Sequence, residues 1–205
     1  MSEIKEFWEE QHEKHEIRYL SDYSGEDVWK YLMIEPYLVS NANVLNIGVG
    51  TGRCTWHLKE SGVNVYALDI SEKALENVKP FVEGSWLTSE YDKMPSDFFD
   101  VAISHLVIQH MTDDAVLEQL KGVLRSLKQT GIFAFQHASP YPNDDLLYNE
   151  SLEYQKAGAI IRTREHIKEL IVNSGGEIIK EGKKVSYDNE YEKCSWNSCI
   201  VRRRL

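Results

Sequence analysis

Val44-Leu45-Asn46-Ile47-Gly48-Val49-Gly50-Thr51-Gly52-Arg53 is an apolar strand that runs straight into three glycines on alternate positions, and a short helix follows. Glycine there lets the backbone turn with φ > 0 and lets a ligand sit against main-chain N–H groups that no Cβ shields. A second apolar strand, Val63 to Leu68, ends in Asp69. About 20 residues past the first strand is where a carboxylate can accept hydrogen bonds from ribose hydroxyls. Together the two strand ends point to a nucleotide-like ligand.

The spacing of the glycines narrows the kind. A dinucleotide site reads G-x-G-x-x-G, but here the pattern is G-x-G-x-G and Arg53 stands where that third glycine would fall. The phosphate-cradling pattern G-x-x-x-x-G-K-[ST] is absent. With Asp69 and Phe99-Asp100-Val101-Ala102-Ile103-Ser104-His105, the stretch resembles the class I S-adenosylmethionine (SAM)-dependent methyltransferases, over roughly residues 40 to 135. Their first motif is an acidic residue followed by G-x-G-x-G. The chain departs from it at Asn46, which keeps an acceptor oxygen but loses the charge.

Composition sets the outer bounds. The chain has 205 residues, enough for one well-buried domain. Its net charge of -10 argues against a nucleic-acid partner, since such proteins carry a basic face, and the only basic run is Arg202-Arg203-Arg204. Cys54, Cys194 and Cys199 form no C-x-x-C pair, which suits reduced thiols buried as small apolar groups. The charged start gives no secretory signal, and no apolar run approaches the ~20 residues of a membrane span, so a cytoplasmic protein is expected.

The pattern along the chain predicts an α/β fold in a single domain, residues 1–205. Residues 1–39 read as a polar helical cap carrying Phe7, Trp8, Tyr19, Tyr23, Trp29, Tyr31 and Leu32, with a turn at Ser24-Gly25. Residues 40–136 form the cofactor-binding core. There, strands at 44–48, 63–69, around 82–88 and 101–104 alternate with helices capped by Ser71 and Thr112. The stripe Val116, Leu117, Leu120, Val123, Leu124 and Leu127 predicts a long helix stopped at Gly131, and Ile132 to Phe135 reads as the fifth strand. Residues 138–162 form an acceptor-side insertion with Pro140, Tyr141, Pro142, Asp144, Asp145, Tyr148 and Tyr154. Residues 163–205 give a helix capped by Thr163 and a hairpin, strands near 177–187 and 195–203 joined by a turn at Asp188-Asn189-Glu190. Such a hairpin matches the methyltransferase fold: a Rossmann-like, seven-stranded, mostly parallel sheet in the order 3-2-1-4-5-7-6, antiparallel at its end, with helices on both faces.

Ligands of open α/β sheets bind past the carboxyl ends of the strands. Gly48, Gly50, Gly52, Asp69, Ile70, Glu90, Tyr91, Ser104 and His105 all fall there. The resemblance implies that Asp69 holds the ribose hydroxyls, that Glu90 (with Tyr91 beside it, and Asp92 close by) approaches the adenine amino group, and that Ser104 offers its backbone to the methionine end. It also puts Asn46 near the methionine amino group, and S-adenosylhomocysteine would be the product.

Methyl transfer from a sulfonium is an in-line displacement, so alignment does most of the work. A hydroxyl or protonated amine acceptor also needs a base, and His105 and His137 are the candidates, each following a strand. The plain alternative is that they only shape the pocket; His110 reads as structural. No metal ligand set is evident. The resemblance implies methyl transfer to oxygen or nitrogen of a small metabolite such as a sugar or quinone, as in the type-11-like group. The Asn/Asp-Pro-Pro-Tyr motif of many base methyltransferases is absent. Loss of the motif acid at Asn46 keeps open a non-catalytic SAM-binding sensor or partner subunit. A nucleotide-dependent oxidoreductase is opposed by Arg53 and the hairpin.

Overall fold

A computed structural model describes residues 2–14, 25–140, 148–156, 158–182, 185–186 and 194–204. Tyr19, Tyr23, Ser24, the segment 141–147 and the turn at 188–190 lie outside the described residues. Five parallel strands form the centre: β1 (Asn43–Ile47), β2 (Asn64–Asp69), β3 (Gly84–Leu87), β4 (Phe99–Ser104) and β5 (Leu127–Pro140). The antiparallel β8 (Cys194–Arg203) lies on β5, and both β6 (Gly176–Glu181) and β7 (Val185–Ser186) lie on the outer edge of β8. The sheet runs β3-β2-β1-β4-β5-β8-β6. With β6 and β7 taken as one interrupted edge strand, this is the expected order 3-2-1-4-5-7-6.

Helices cover both faces, which is why the central strands are apolar throughout rather than alternating. On one face α5 (Asp113–Ser126) and α7 (Arg164–Asn173) bury Val116, Leu120, Val123, Ile167 and Ile171 against Leu45, Phe99, Phe133 and Phe135. On the other, α2 (Gly25–Leu32) and α3 (Arg53–Glu60) pack Trp29, Leu32 and Leu58 against Val44, Val65, Val101 and Ile103. The helix starts form as their caps dictate. Ser71 Oγ accepts the N–H of Ala74 to open α4 (Glu72–Val78), Thr112 Oγ1 accepts that of Ala115, and Thr163 Oγ1 accepts that of His166.

Two expectations are corrected. The helix ends at Ser126, not Gly131, and Leu127 already belongs to β5, opposite Phe99. Leu127 falls in phase with the helical stripe, but sheet pairing captures it and buries it completely. The fifth strand is also far longer than 132–135. It runs on to Pro140 because β8 pairs with it as far as Cys194, so Ala138 to Pro140 are strand and not insertion.

Candidate active site

The carboxyl ends of β1, β2 and β4 meet at one rim. Gly48, Gly50 and Gly52 all have positive φ, 71°, 50° and 89°. Gly48 admits no side chain at all, since a Cβ there would lie 2.2 Å from Val107 Cγ2. The Asp69 carboxylate is buried and accepts N–H groups from Gly50 at 3.2 Å and Ser71 at 2.9 Å. Burial pushes this carboxyl above the usual carboxylate range, against the pull of His12 and those N–H groups. Asn46 is buried in β1 and donates from Nδ2 to Thr55 Oγ1 at 2.9 Å. Ile70 follows Asp69 and is half-buried. Ser104 is fully buried at the end of β4, and its Oγ, like Arg53 Nη1 at the start of α3, has no hydrogen-bond partner among the described residues. Buried polar atoms left over at a rim of glycines and a carboxylate fit a polar ligand there.

The loop after β3 differs from the expectation. Glu90 caps its own turn: Oε2 accepts the N–H of Leu87 at 3.0 Å and Oε1 pairs with Lys93 at 2.6 Å. Tyr91 does not line the rim. Its ring packs under α5, where Gly122 lets it approach so closely that a Cβ would stand 2.7 Å away. Burial raises its hydroxyl well above the usual range.

His105 directly follows β4 and sets its ring edge-on to Tyr31, 6.3 Å between centroids. His137 does not follow its strand. It sits inside β5, opposite Asn197 of β8, because the strand overshoots. Ser104 pairs with Phe135, so the two histidines lie one and two residues beyond the same rung. No hydrogen bond joins them among the described residues. Ser139 Oγ stands 3.1 Å from His137 Nδ1 and gives its own proton to the carbonyl of Arg162 at 2.9 Å. A hydroxyl has one proton, so Nδ1 must donate and the lone pair falls on Nε2. Burial pushes His105, His110 and His137 each down to about 4, leaving all three imidazoles neutral near pH 7.

The sequence reading missed two groups. Arg162, 1% exposed, donates to Asp113 at 2.8 Å and to the carbonyls of Ile108 and Met111, so it clamps the acceptor-side segment onto the start of α5. The second is His12, buried on α1 (Glu3–Lys14), a helix within the expected N-terminal cap, where Trp8 also stands edge-on to His110 at 5.1 Å. Nothing in the sequence set His12 apart from the other polar residues of that helix.

Comparison with known proteins bears on the family. Residues 45–135 match the family of methyltransferase domains. That match covers less than half of the 205 residues and marks the segment as similar to a methyltransferase domain. An uncharacterized methyltransferase of Synechocystis sp. is 32% identical over 114 residues, 54% of each chain. The ribosomal protein L11 methyltransferase of Dictyoglomus turgidum is 29% identical over 107 residues, 49% of this chain and 34% of that one. The chain thus spans about half the length of the first curated relative and a third of the second. The 1,6-didemethyltoxoflavin N1-methyltransferase of Burkholderia thailandensis, solved with S-adenosylhomocysteine, superposes with a TM-score of 0.75 at 17% identity, covering 98% of this chain and 88% of that one. The described residues include no helix long and apolar enough to cross a membrane, and no cluster of three His, Cys, Asp or Glu fit for a metal.

Proposed function

We propose that the protein is a SAM-dependent methyltransferase acting on oxygen or nitrogen of a small-molecule metabolite. One observation carries the reading: a buried carboxylate, Asp69, bonded to the N–H of Gly50 within a run of three positive-φ glycines. SAM, when bound, supplies an electrophilic methyl on a positively charged sulfur.

The chain's own residues then have distinct tasks. Gly48, Gly50 and Gly52 bring bare backbone to the ligand, and Asp69 accepts from ribose hydroxyls. Asn46 and Ser104 hold the methionine end, with Ile70 beside the ribose. Glu90, on the turn after β3, is the group closest in sequence to the adenine side and remains tied to Lys93. Alignment of acceptor and methyl is worth up to roughly 7–11 kcal/mol of barrier in favourable systems. His137, with its lone pair directed to Nε2 by Ser139, or His105 accepts the acceptor's proton. The long antiparallel wall of β5 and β8, with residues 158–162 clamped by Arg162, encloses a compact acceptor rather than a polymer.

The test is calorimetric titration of purified protein with S-adenosylhomocysteine, followed by incorporation of isotopic methyl from SAM into a small-metabolite extract. Binding and labelled product are expected. No binding at millimolar ligand by a folded protein overturns the reading. Binding without labelling of any acceptor favours the non-catalytic sensor or partner subunit, for which the missing acid at Asn46 is the supporting observation.

A further inference from the structure

α1 meets the domain along one stripe, Lys5, Trp8, Glu9 and His12, at the i, i+3, i+4, i+7 spacing of one helix face. Glu9 fixes that stripe. Its carboxylate accepts from Ser71 Oγ at 2.8 Å and from the N–H groups of Glu72 and Lys73 at 2.7 and 3.1 Å, capping α4 from outside the chain segment. Lys5 pairs with Glu72 at 2.7 Å, and Glu3 with Lys156 at 2.6 Å on the opposite side of the rim. The same Ser71 whose hydroxyl reaches Glu9 gives its N–H to Asp69. The helix is therefore registered directly against the carboxylate of the rim.

His12 is what this registration delivers. It is 3% exposed, its ring stacks on Trp8 at 6.0 Å, and it stands near enough to Asp69 for each to bias the other's ionisation. Its Nδ1 is buried and has no hydrogen-bond partner among the described residues. A polar atom in that condition costs free energy unless a ligand satisfies it. We propose that His12 is a cofactor-binding residue that completes the ribose subsite with Asp69, its imidazole bonding to a ribose hydroxyl of the adenosyl group. The inference rests on the reading that the chain binds an adenosyl cofactor at Asp69.

The chemistry of a diol suits the pair. A carboxylate only accepts, and Asp69 already takes the N–H groups of Gly50 and Ser71 with that of Val49 close by, so little of its roughly four-site capacity is left and a second polar neighbour helps to hold the diol. Burial lowers the His12 imidazole below its ordinary range, which keeps it neutral, and a neutral ring nitrogen can meet a hydroxyl as donor or acceptor. Because His12 rides on α1, holding the cofactor and docking the helix become one event.

The test pairs a change in the protein with a change in the ligand. S-adenosylhomocysteine and its 2′,3′-dideoxyribose analogue are titrated into the wild-type chain, His12→Ala and His12→Asn, with melting of each ligand-free protein alongside. His12→Ala is expected to weaken S-adenosylhomocysteine by about three- to tenfold, the worth of one hydrogen bond, and to leave the analogue's affinity unchanged. His12→Asn, which keeps a polar atom, should recover part of the loss, and it carries the same comparison if the alanine variant does not fold. Equal loss for both ligands, or no loss for either, overturns the role of His12 while leaving the cofactor reading intact. A wild-type chain that binds neither ligand overturns both.

Discussion

Arg162 Nε donates to Asp113 Oδ1 at 2.8 Å, joining a guanidinium only 1% exposed to a carboxylate that stays 28% exposed at the edge of the rim. His166 shares the same carboxylate at 2.6 Å. Arg162→Ala leaves Asp113 its His166 partner and some contact with water, but it unpairs the carbonyls of Ile108 and Met111. The change is expected to cost roughly 1–3 kcal/mol of stability in chemical denaturation, more than an exposed pair such as Arg202–Glu177 would. A loss below about 1 kcal/mol would show that the clamp is not what secures residues 158–163.

Gly48 and Gly62 make a matched pair of positions, both left-handed, with φ of 71° and 79°. A Cβ at Gly62 meets nothing within 4 Å, whereas at Gly48 it would strike Val107. Gly62→Ala should therefore cost only the backbone penalty, about 1–2 kcal/mol. Gly48→Ala should cost distinctly more and also lower S-adenosylhomocysteine affinity, because the loop itself must move. Equal melting temperatures for the two variants would contradict this.

Asn46→Asp restores the acid usual at the motif position. Thr55 Oγ1 now accepts from the Asn46 amide, but a hydroxyl can reverse and donate to a carboxylate, so the contact survives the change. S-adenosylhomocysteine affinity is expected to hold or rise. A clear fall in calorimetry would refute the assignment of Asn46 to the amino-group side.

Replacing His105 and His137 separately by Gln, at saturating substrate, separates a base from a wall. Loss of a base costs about 10²–10⁴-fold in kcat, whereas a pocket-shaping residue moves KM instead. His137 is the stronger expectation, since Ser139 sets its tautomer, and Ser139→Ala should lower kcat in the same direction. Full turnover in both histidine variants would leave alignment as the whole of the catalysis.

The same imidazoles predict a pH dependence of stability. Each of His105, His110 and His137 is held at about 4 by burial in the folded chain, against about 6.5 when unfolded. Between those values the unfolded state binds more protons, so stability is complete above about 6.5 and is lost as pH falls toward 4. The unfolding midpoint should be level near pH 7–8 and decline below about 6.5, and His110→Gln should shallow that decline. A midpoint at pH 5 equal to that at pH 7.5 would refute it.

The parts of the rim legible in the sequence are those specified locally. Gly48 to Gly52 announce a backbone conformation, and Asp69 follows a strand whose apolar run is short and unbroken. Ser71, Thr112 and Thr163 cap helices through contacts three residues away. What escaped depends on partners distant in the chain. Leu127 keeps helical phase yet pairs with Phe99, and the length of β5 is set by β8, over fifty residues later. Tyr91 turns inward because Gly122 makes room for it, and His12 reaches Asp69 only through Glu9 at α4.

Among the described residues the fifth strand has no parallel neighbour beyond Phe135, and Gln136 to Pro140 pair there with β8 alone. That overhang is a stiff panel, its peptide groups tied across the ladder up to Cys194. On it Ala138, Cys194 and Trp196 pack together in a small core of their own. Under the methyl-transfer reading proposed above, a change of acceptor should accordingly succeed by resculpting this panel one residue at a time, leaving the glycine loop untouched.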